Sequence, residues 1–336
     1  MLKTVLIGYG YWGPNIAKSI DISSHYELTA ICDIDEERLV EARNIYGDRV
    51  KYFTDWHDIL SLPDIQVAAV ALLHPLAHKV AKEVLARKLH LFIEKPFAVT
   101  INDALELRDL AQKHKVLIHV DYQLVYNPFI RRIKKIIDNG ELGEIVYFEA
   151  SRTNLGPHIK KDMNAMWDLA VHDIAVLDYL CGGIIPVHVR YMGQSKYGHQ
   201  EIITYLSVKY DNFMAMIKSS WFSPLKERKI ILSGTKKMIV FDDLRESEKL
   251  MIYDRGIDLT DITFRKYGIL ETKIRAGDTH IPNIDFENAL LNGLNHFAEC
   301  LRNNVQSLTS PGLAIRVLSI LDQAENRGFI GNVANF

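Results

Sequence analysis

The sequence predicts an α/β protein in two parts: an N-terminal doubly wound parallel sheet, then an α+β region built on a large, open, mostly antiparallel sheet. Three observations predict this. From Leu2 to about Val120, short apolar runs alternate with helical patterns, and the runs are continuous rather than alternating, as in strands covered on both faces. A glycine-rich turn, GYGYWG, follows the first run directly. After Asn139 the texture shifts to longer, partly alternating stretches joined by turn signals. With 336 residues, 48% of them hydrophobic, the chain can bury more than one core, and the expected division is residues 1–122 and 123–336.

The strands of the first part are TVLIG, ELTAICD, VAAVALL, LHLFIEK and VLIHV; between them PNIAKSI, EERLVEARNIY, HKVAKEVLARK and NDALELRDLAQKH read as helices. A further helix in YNPFIRRIKKIIDNG stops near Asn139 at Asn-Gly. The β-rich region then runs to about Phe264, interrupted by the helix WDLAVHDIAVLDYLCG. In EIITYLSVKYDNFMAMIKSSW two strands meet at Asp211-Asn212, a tight hairpin turn that makes the pairing antiparallel. One face carries Ile202, Thr204, Leu206 and Val208. The other, with Ile203 and Tyr205 before Ser207 and Lys209, is only partly polar, so a subunit contact or a local loop should cover it. Two helical patterns close the chain, IDFENALLNGLNHFAECLRNN and SPGLAIRVLSILDQAENRG; the second opens with Ser310 and a proline at the first helical position.

A formal net charge of -2 and a pI near 6.7 leave no electrostatic footprint for nucleic acid or an anionic membrane surface, and RRIKK reads as one solvated helix face. The sequence has no unbroken apolar run of membrane-spanning length, and the N-terminal apolar run is too short for a signal-peptide core. Cys32, Cys181 and Cys300 are odd in number, far apart and without metal-ligand spacing. They read as reduced, buried thiols in a cytoplasmic protein with no metal site.

GYGYWG sets Gly8, Gly10 and Gly13 in the G-x-G-x-x-G spacing between a strand and a helix. The first glycine allows the tight turn, the second lets backbone approach a pyrophosphate, and the third lets helix and strand pack closely. Asp33 ends the second strand 20 residues after Gly13, where a carboxylate binds the adenosine ribose hydroxyls. With Asp35, Glu36 and Glu37 just beyond, it would repel a 2'-phosphate, which favours NAD over NADP, although Arg38 and Arg43 lie close enough in sequence to reach the same area. Tyr11 and Trp12 either cover the pyrophosphate turn or pack on the next helix. Open α/β sheets take ligands beyond their strands' carboxyl ends, so Leu72, His74 and His78 of LLHPLAH and Glu94, Lys95 and Pro96 of EKPF should line the cofactor cleft, with Gln123 near the nicotinamide end. A Lys-Pro bond has access to the cis form.

Taken together, GYGYWG, EKP, YNP and the helix bearing D-x-x-x-H resemble the Gfo/Idh/MocA family of nicotinamide-dependent sugar and inositol oxidoreductases over essentially the whole chain. The resemblance implies a Rossmann domain followed by an open-sheet domain, homodimers or homotetramers joined through the sheets, and a catalytic constellation of Lys95, Asp168 and His172. Within the family, YWGPN, VDYQLVYNP, SRTNLG, MWDLAVHD and FDD…EK…YD are similar to members that oxidise C3 of UDP-N-acetylglucosamine or its uronate. Such members supply an aminotransferase in surface-glycan or lipid A biosynthesis. Two positions depart from the wider family: Val125 stands where an arginine is common before YNP, and His74 replaces the usual proline or asparagine.

The chemistry expected is reversible hydride transfer between a sugar carbinol carbon and nicotinamide. Removing hydride also requires the hydroxyl proton to leave, so a base must reach that oxygen. His172 suits the task with an ordinary pKa of about 6.5, while Lys95 would bind the same oxygen and stabilise alkoxide charge. A positive nicotinamide would also depress the lysine pKa, so Lys95 can be the base instead. Asp168, one turn before His172, would orient the imidazole or accept from a sugar hydroxyl; taken alone, an i,i+4 Asp/His pair is more often a structural feature of a helix. Tyr126, toward the nicotinamide end, and Arg152, Asn154, Asp162 and Asn164 are the further substrate contacts expected, the last four each also readable as a loop-stabilising group. A free-sugar or inositol dehydrogenase, or a non-catalytic NAD(P)-binding sensor, are the competing readings.

Overall fold

The computed structural model describes residues 1–156, 163–196, 200–264 and 270–326. In chain order its elements are β1 (Leu2–Ile7), α1 (Gly13–Ile22), β2 (Tyr26–Cys32), α2 (Glu36–Tyr46), β3 (Lys51–Phe53), α3 (Trp56–Ile59), β4 (Val67–Val70), α4 (Leu76–Ala86), β5 (His90–Glu94), α5 (Ile101–His114) and β6 (Ile118–Asp121). There follow α6 (Pro128–Asp138), β7 (Ile145–Leu155), α7 (Val171–Cys181), β8 (His188–Ser195), β9 (Glu201–Lys209), β10 (Met214–Ser220), β11 (Phe222–Gly234), β12 (Met238–Asp242), β13 (Leu250–Phe264), β14 (Leu270–His280), α8 (Ala289–Asn303) and α9 (Pro311–Asn326). The chain forms two compact units, Met1–Asn127 with Glu287–Leu318, and Pro128–Phe286 with Ser319–Phe336.

The first unit is a six-stranded sheet in the order β3-β2-β1-β4-β5-β6, every neighbouring pair parallel. Its strands bury both faces: all four residues of β4 are buried, which is why its sequence runs apolar without alternation, and all four of β6 are buried too, His119 and Asp121 among them. The order reverses between β1 and β4, the point where such sheets open a crevice for ligands. Local signals fix the helices. Asp35 caps α2 by accepting from Glu37 N–H, and Thr100 caps α5 by accepting from Asp103 N–H. The short β3 and α3 were not expected, because three and four residues leave too little periodicity to read.

The single expected cut after residue 122 misses the return of the tail. Helix α8 belongs to the first unit, where Leu290, Leu294, Phe297 and Ala298 join Ile16, Ile20, Tyr26 and Phe92 in one core cluster. Tyr26 Oη donates to the Leu294 carbonyl at 2.6 Å. An amphipathic helix states that it has a partner face but not which surface it meets.

The second unit carries an eight-stranded sheet, β14-β13-β12-β11-β7-β10-β9-β8, antiparallel except between β7 and β10. The expected hairpin is there: β9 and β10 pair from Lys209↔Met214, and Tyr210 N–H donates to Phe213 O across Asp211-Asn212. Ile202, Thr204, Leu206 and Val208 are the buried face, as their alternation implied. The β-rich region extends past Phe264, since β14 pairs with β13.

Candidate active site

In the first unit the glycine turn has the geometry its spacing implies. Gly8 has φ +100°, and a Cβ there would lie 2.3 Å from the Ala71 carbonyl oxygen; a Cβ on Gly13 would lie 2.3 Å from Gly8 O. Only glycine permits the turn and the close seat of α1 against β1. At Gly10 the neighbouring group is the Arg38 guanidinium, 3.3 Å from where a Cβ would stand. Tyr11 is exposed, whereas Trp12 is partly buried and donates from its indole Nε1 to Asp121 Oδ2 at 3.3 Å.

Asp33 is buried and pinned: Oδ2 accepts from Tyr9 N–H at 2.6 Å and Oδ1 from Asp35 N–H at 3.0 Å. Of the two arginines expected near it, Arg38 arrives, 3.6 Å from Asp33 and 3.4 Å from Asp35. Arg43 instead lies over the Tyr52 ring. A fixed carboxylate beside a glycine-rich turn at a helix start fits the adenosine and pyrophosphate end of NAD.

Three more strand ends converge on the same edge. After β4, Leu72 lies against Gly8 and His74 precedes a cis proline; burial first, and the charge of His78 second, hold the His74 imidazole below its usual pKa. His74 Nε2 is buried without a partner among the described residues. His78, expected at the cofactor, lies on α4 with Nε2 3.1 Å from Glu106 Oε2 on α5, so that nitrogen is engaged on a neighbouring helix. His78, Asp103 and Glu106 bring one ligand atom each within 4.8 Å of one another, but Lys82 Nζ already sits 2.5 Å from Glu106, which opposes a cation there. Glu94 ends β5, followed by Lys95 and a cis Lys95-Pro96 bond.

Gln123 starts a 3-10 turn, Gln123–Tyr126, after β6, and is partly exposed. Tyr126, expected to touch substrate, is buried: its hydroxyl meets Ser307 Oγ and Thr309 Oγ1 at 3.1 Å each, and its ring stacks near His119. These contacts fasten the 3-10 turn to the Ser307–Thr309 segment. Sequence could not show it, because the partners lie 181 and 183 residues away.

In the second unit Asp168 and His172 occupy a distorted helix start. Met166–Ala170 forms a π turn that runs into α7, a feature often found at functional sites. Asn164 stands where a cap would: its Oδ1 accepts from Trp167 N–H at 3.1 Å and its Nδ2 donates to Glu201 at 3.0 Å. Asp168 Oδ2 accepts from the indole of Trp221 at 3.1 Å. Trp221 carried no sequence signal, since it reaches the helix only through the β10–β11 corner.

Arg152, expected as an anion contact for substrate, has its fork filled instead. Its Nε and Nη2 donate to Asp173 Oδ2 and Oδ1 at 2.9 and 2.7 Å, and both residues are buried. The buried cation required a carboxylate, and the residue after His172 provides it. Asn154, also on β7, leaves its buried Oδ1 without a partner among the described residues, the pattern a ligand donor would complete. Asp162 lies outside the described residues.

Three comparisons place the chain among known proteins. Residues 2–122 match the family described as "Oxidoreductase family, NAD-binding Rossmann fold", and residues 130–240 match the "GFO/IDH/MocA C-terminal domain". Among curated proteins, an inositol 2-dehydrogenase of Salmonella paratyphi B is 27% identical over 183 residues, 53% of this chain and 54% of its own; the chain thus spans about half the length of the curated relatives it matches. Among solved structures, the UDP-N-acetylglucosamine 3-dehydrogenase GnnA of Acidithiobacillus ferrooxidans superposes with a TM-score of 0.78 at 21% identity, covering 96% of both chains. An oxidoreductase of Agrobacterium radiobacter, solved with NAD+, L-tartaric acid and magnesium, does so with a TM-score of 0.78 at 16% identity, covering 97% and 95%. These likenesses support the fold, and the two family matches, one on each unit, show that the chain belongs to the Gfo/Idh/MocA family of NAD-binding oxidoreductases.

Proposed function

We propose that this chain is an NAD-dependent dehydrogenase that oxidises a sugar carbinol, C3 of a UDP-N-acetylhexosamine or its uronate. The observation that carries the reading is a lysine, Lys95, at the carboxyl end of β5 in an NAD-binding sheet, where such sheets receive their ligands. NAD, when bound, supplies the hydride acceptor. Lys95 holds the carbinol oxygen and stabilises its developing negative charge. His172 takes the hydroxyl proton, or Lys95 does so with its pKa depressed, and Asp168, steadied by Trp221, fixes the orientation of substrate or imidazole. The choice of a nucleotide sugar rests on the sequence likeness of VDYQLVYNP, SRTNLG and MWDLAVHD, and its place in surface-glycan or lipid A biosynthesis, upstream of an aminotransferase, follows from the same likeness.

A homodimer or homotetramer through the second sheet is part of the proposal. It is supported by Met192, Tyr205 and Met214, exposed large apolar side chains that the strand register sets on one face. The test is appearance of reduced nicotinamide in the ultraviolet on adding UDP-N-acetylglucosamine, its uronate, glucose or myo-inositol, with a 2-oxo acid or coupled aminotransferase to pull the reaction forward. Turnover of a nucleotide sugar is the expected result. Turnover of myo-inositol with silence toward nucleotide sugars would replace the substrate. A Lys95→Ala protein that keeps its biological role would point to a sensor.

A further inference from the structure

The carboxyl ends of β5 and β6 hold two acids side by side. Glu94 and Asp121 are register partners on neighbouring parallel strands, so their side chains leave the same face of the sheet. Asp121 is 2% exposed, and its register sets its carboxyl group beside that of Glu94. Glu94 Oε2 and Asp121 Oδ1 are buried with no donor among the described residues; one proton held between the groups supplies that donor. Burial first, then the charge of Asp121, keeps Glu94 well above the usual carboxylate range, and burial raises Asp121 as well. Lys95 is the charged group acting against both shifts. His119, two residues before Asp121, is kept neutral by burial and turns Nδ1 to Ser307 Oγ at 3.0 Å. The second oxygen of Asp121 accepts from Trp12, inside the glycine turn. One acid pair therefore touches both the strand end that carries Lys95 and the turn that would cradle the pyrophosphate.

We propose that Glu94 and Asp121 are positioning residues that hold one shared proton and respond to the charge of the bound cofactor: binding oxidised NAD releases the proton to solvent, and binding NADH does not. The oxidised nicotinamide ring is a cation and the reduced ring is neutral, and only a cation beyond these strand ends favours the ionised pair. Because ionisation of the pair alters the acceptor that Trp12 meets, the redox state of the cofactor is transmitted to the glycine turn. The inference rests on the NAD-binding fold, not on the sugar substrate proposed above.

Calorimetric titration of the full chain with NAD+ and with NADH, between about pH 6 and 9 in buffers of different ionisation enthalpy, counts the protons directly. The expected result is release approaching one proton with NAD+ at the acid end and none with NADH. The affinity for NAD+ then rises by up to about tenfold per pH unit, because a proton leaves on binding. Asp121→Asn keeps an acceptor for Trp12 and gives Glu94 a permanent donor; it should abolish both the release and the pH slope while NADH binds as before. Equal release with the two cofactors, or release unchanged in Asp121→Asn, overturns the proposal. Should that variant not fold, the wild-type contrast between NAD+ and NADH decides alone. Absence of binding heat with either cofactor overturns it together with the cofactor assignment.

Discussion

The two units satisfy their candidate functional groups in opposite ways. In the first, the strand ends leave His74 Nε2, Glu94 Oε2 and Asp121 Oδ1 buried without a donor or acceptor among the described residues. In the second, Arg152 is clamped by Asp173, Asp168 accepts from Trp221, and Asn164 is bonded through both ends of its amide. A buried polar atom without a partner costs about 1–3 kcal/mol, so the first unit keeps groups whose partners a ligand or a shared proton must supply. The second unit uses internal bonds to hold a small number of side chains still. Asn154, with its orphaned Oδ1, is one point where the second unit behaves like the first.

The largest test of this contrast is at the proposed chemistry. Lys95→Met and His172→Asn should each lower kcat by about 10²–10⁴-fold without a matching loss of thermal stability, read as reduced nicotinamide formed under saturating sugar. The residue whose removal erases the fall in rate on the acid side of the pH profile is the base, because a base fails when protonated. An unchanged kcat in both variants would break the comparison at its centre.

Next in size is the clamp. Arg152→Met leaves Asp173 buried and uncompensated, which should cost about 3–5 kcal/mol in denaturant unfolding, and Arg152→Met combined with Asp173→Leu should recover most of it. If stability is untouched and only the substrate KM rises, Arg152 is a substrate contact as its sequence context suggested. The smallest effect is expected at Asp33. Asp33→Ser, beside Arg38, should shift the ratio of NAD to NADP affinities by on the order of tenfold toward NADP, measured by fluorescence titration. A native preference for NADP would sink the argument from Asp33.

Much of this was legible in the chain itself, and the legible part is local. GYGYWG and Asp33 announced their local geometry because a turn that needs φ > 0 and a carboxylate after a strand are conditions a short segment states alone. The alternation of Ile202, Thr204, Leu206 and Val208 named the buried face of β9, since a two-residue period admits one assignment. The internal partners of Tyr126 and Arg152 were not legible, because nothing nearby in sequence shows that Ser307, Thr309 or Asp173 will meet them.

The sequence by itself determined the two-part α/β plan, the tight glycine turn and the set of titratable groups at strand and helix ends, because periodicity, glycine sterics and charge act over a few residues. Only the tertiary structure decided that α8 returns to the first core, that Trp221 holds Asp168, that Arg152 is spoken for, and that Glu94 and Asp121 lie side by side. Each of those depends on which distant surfaces meet, and a hydrophobic face or a lone carboxylate specifies that it must be satisfied without specifying by what.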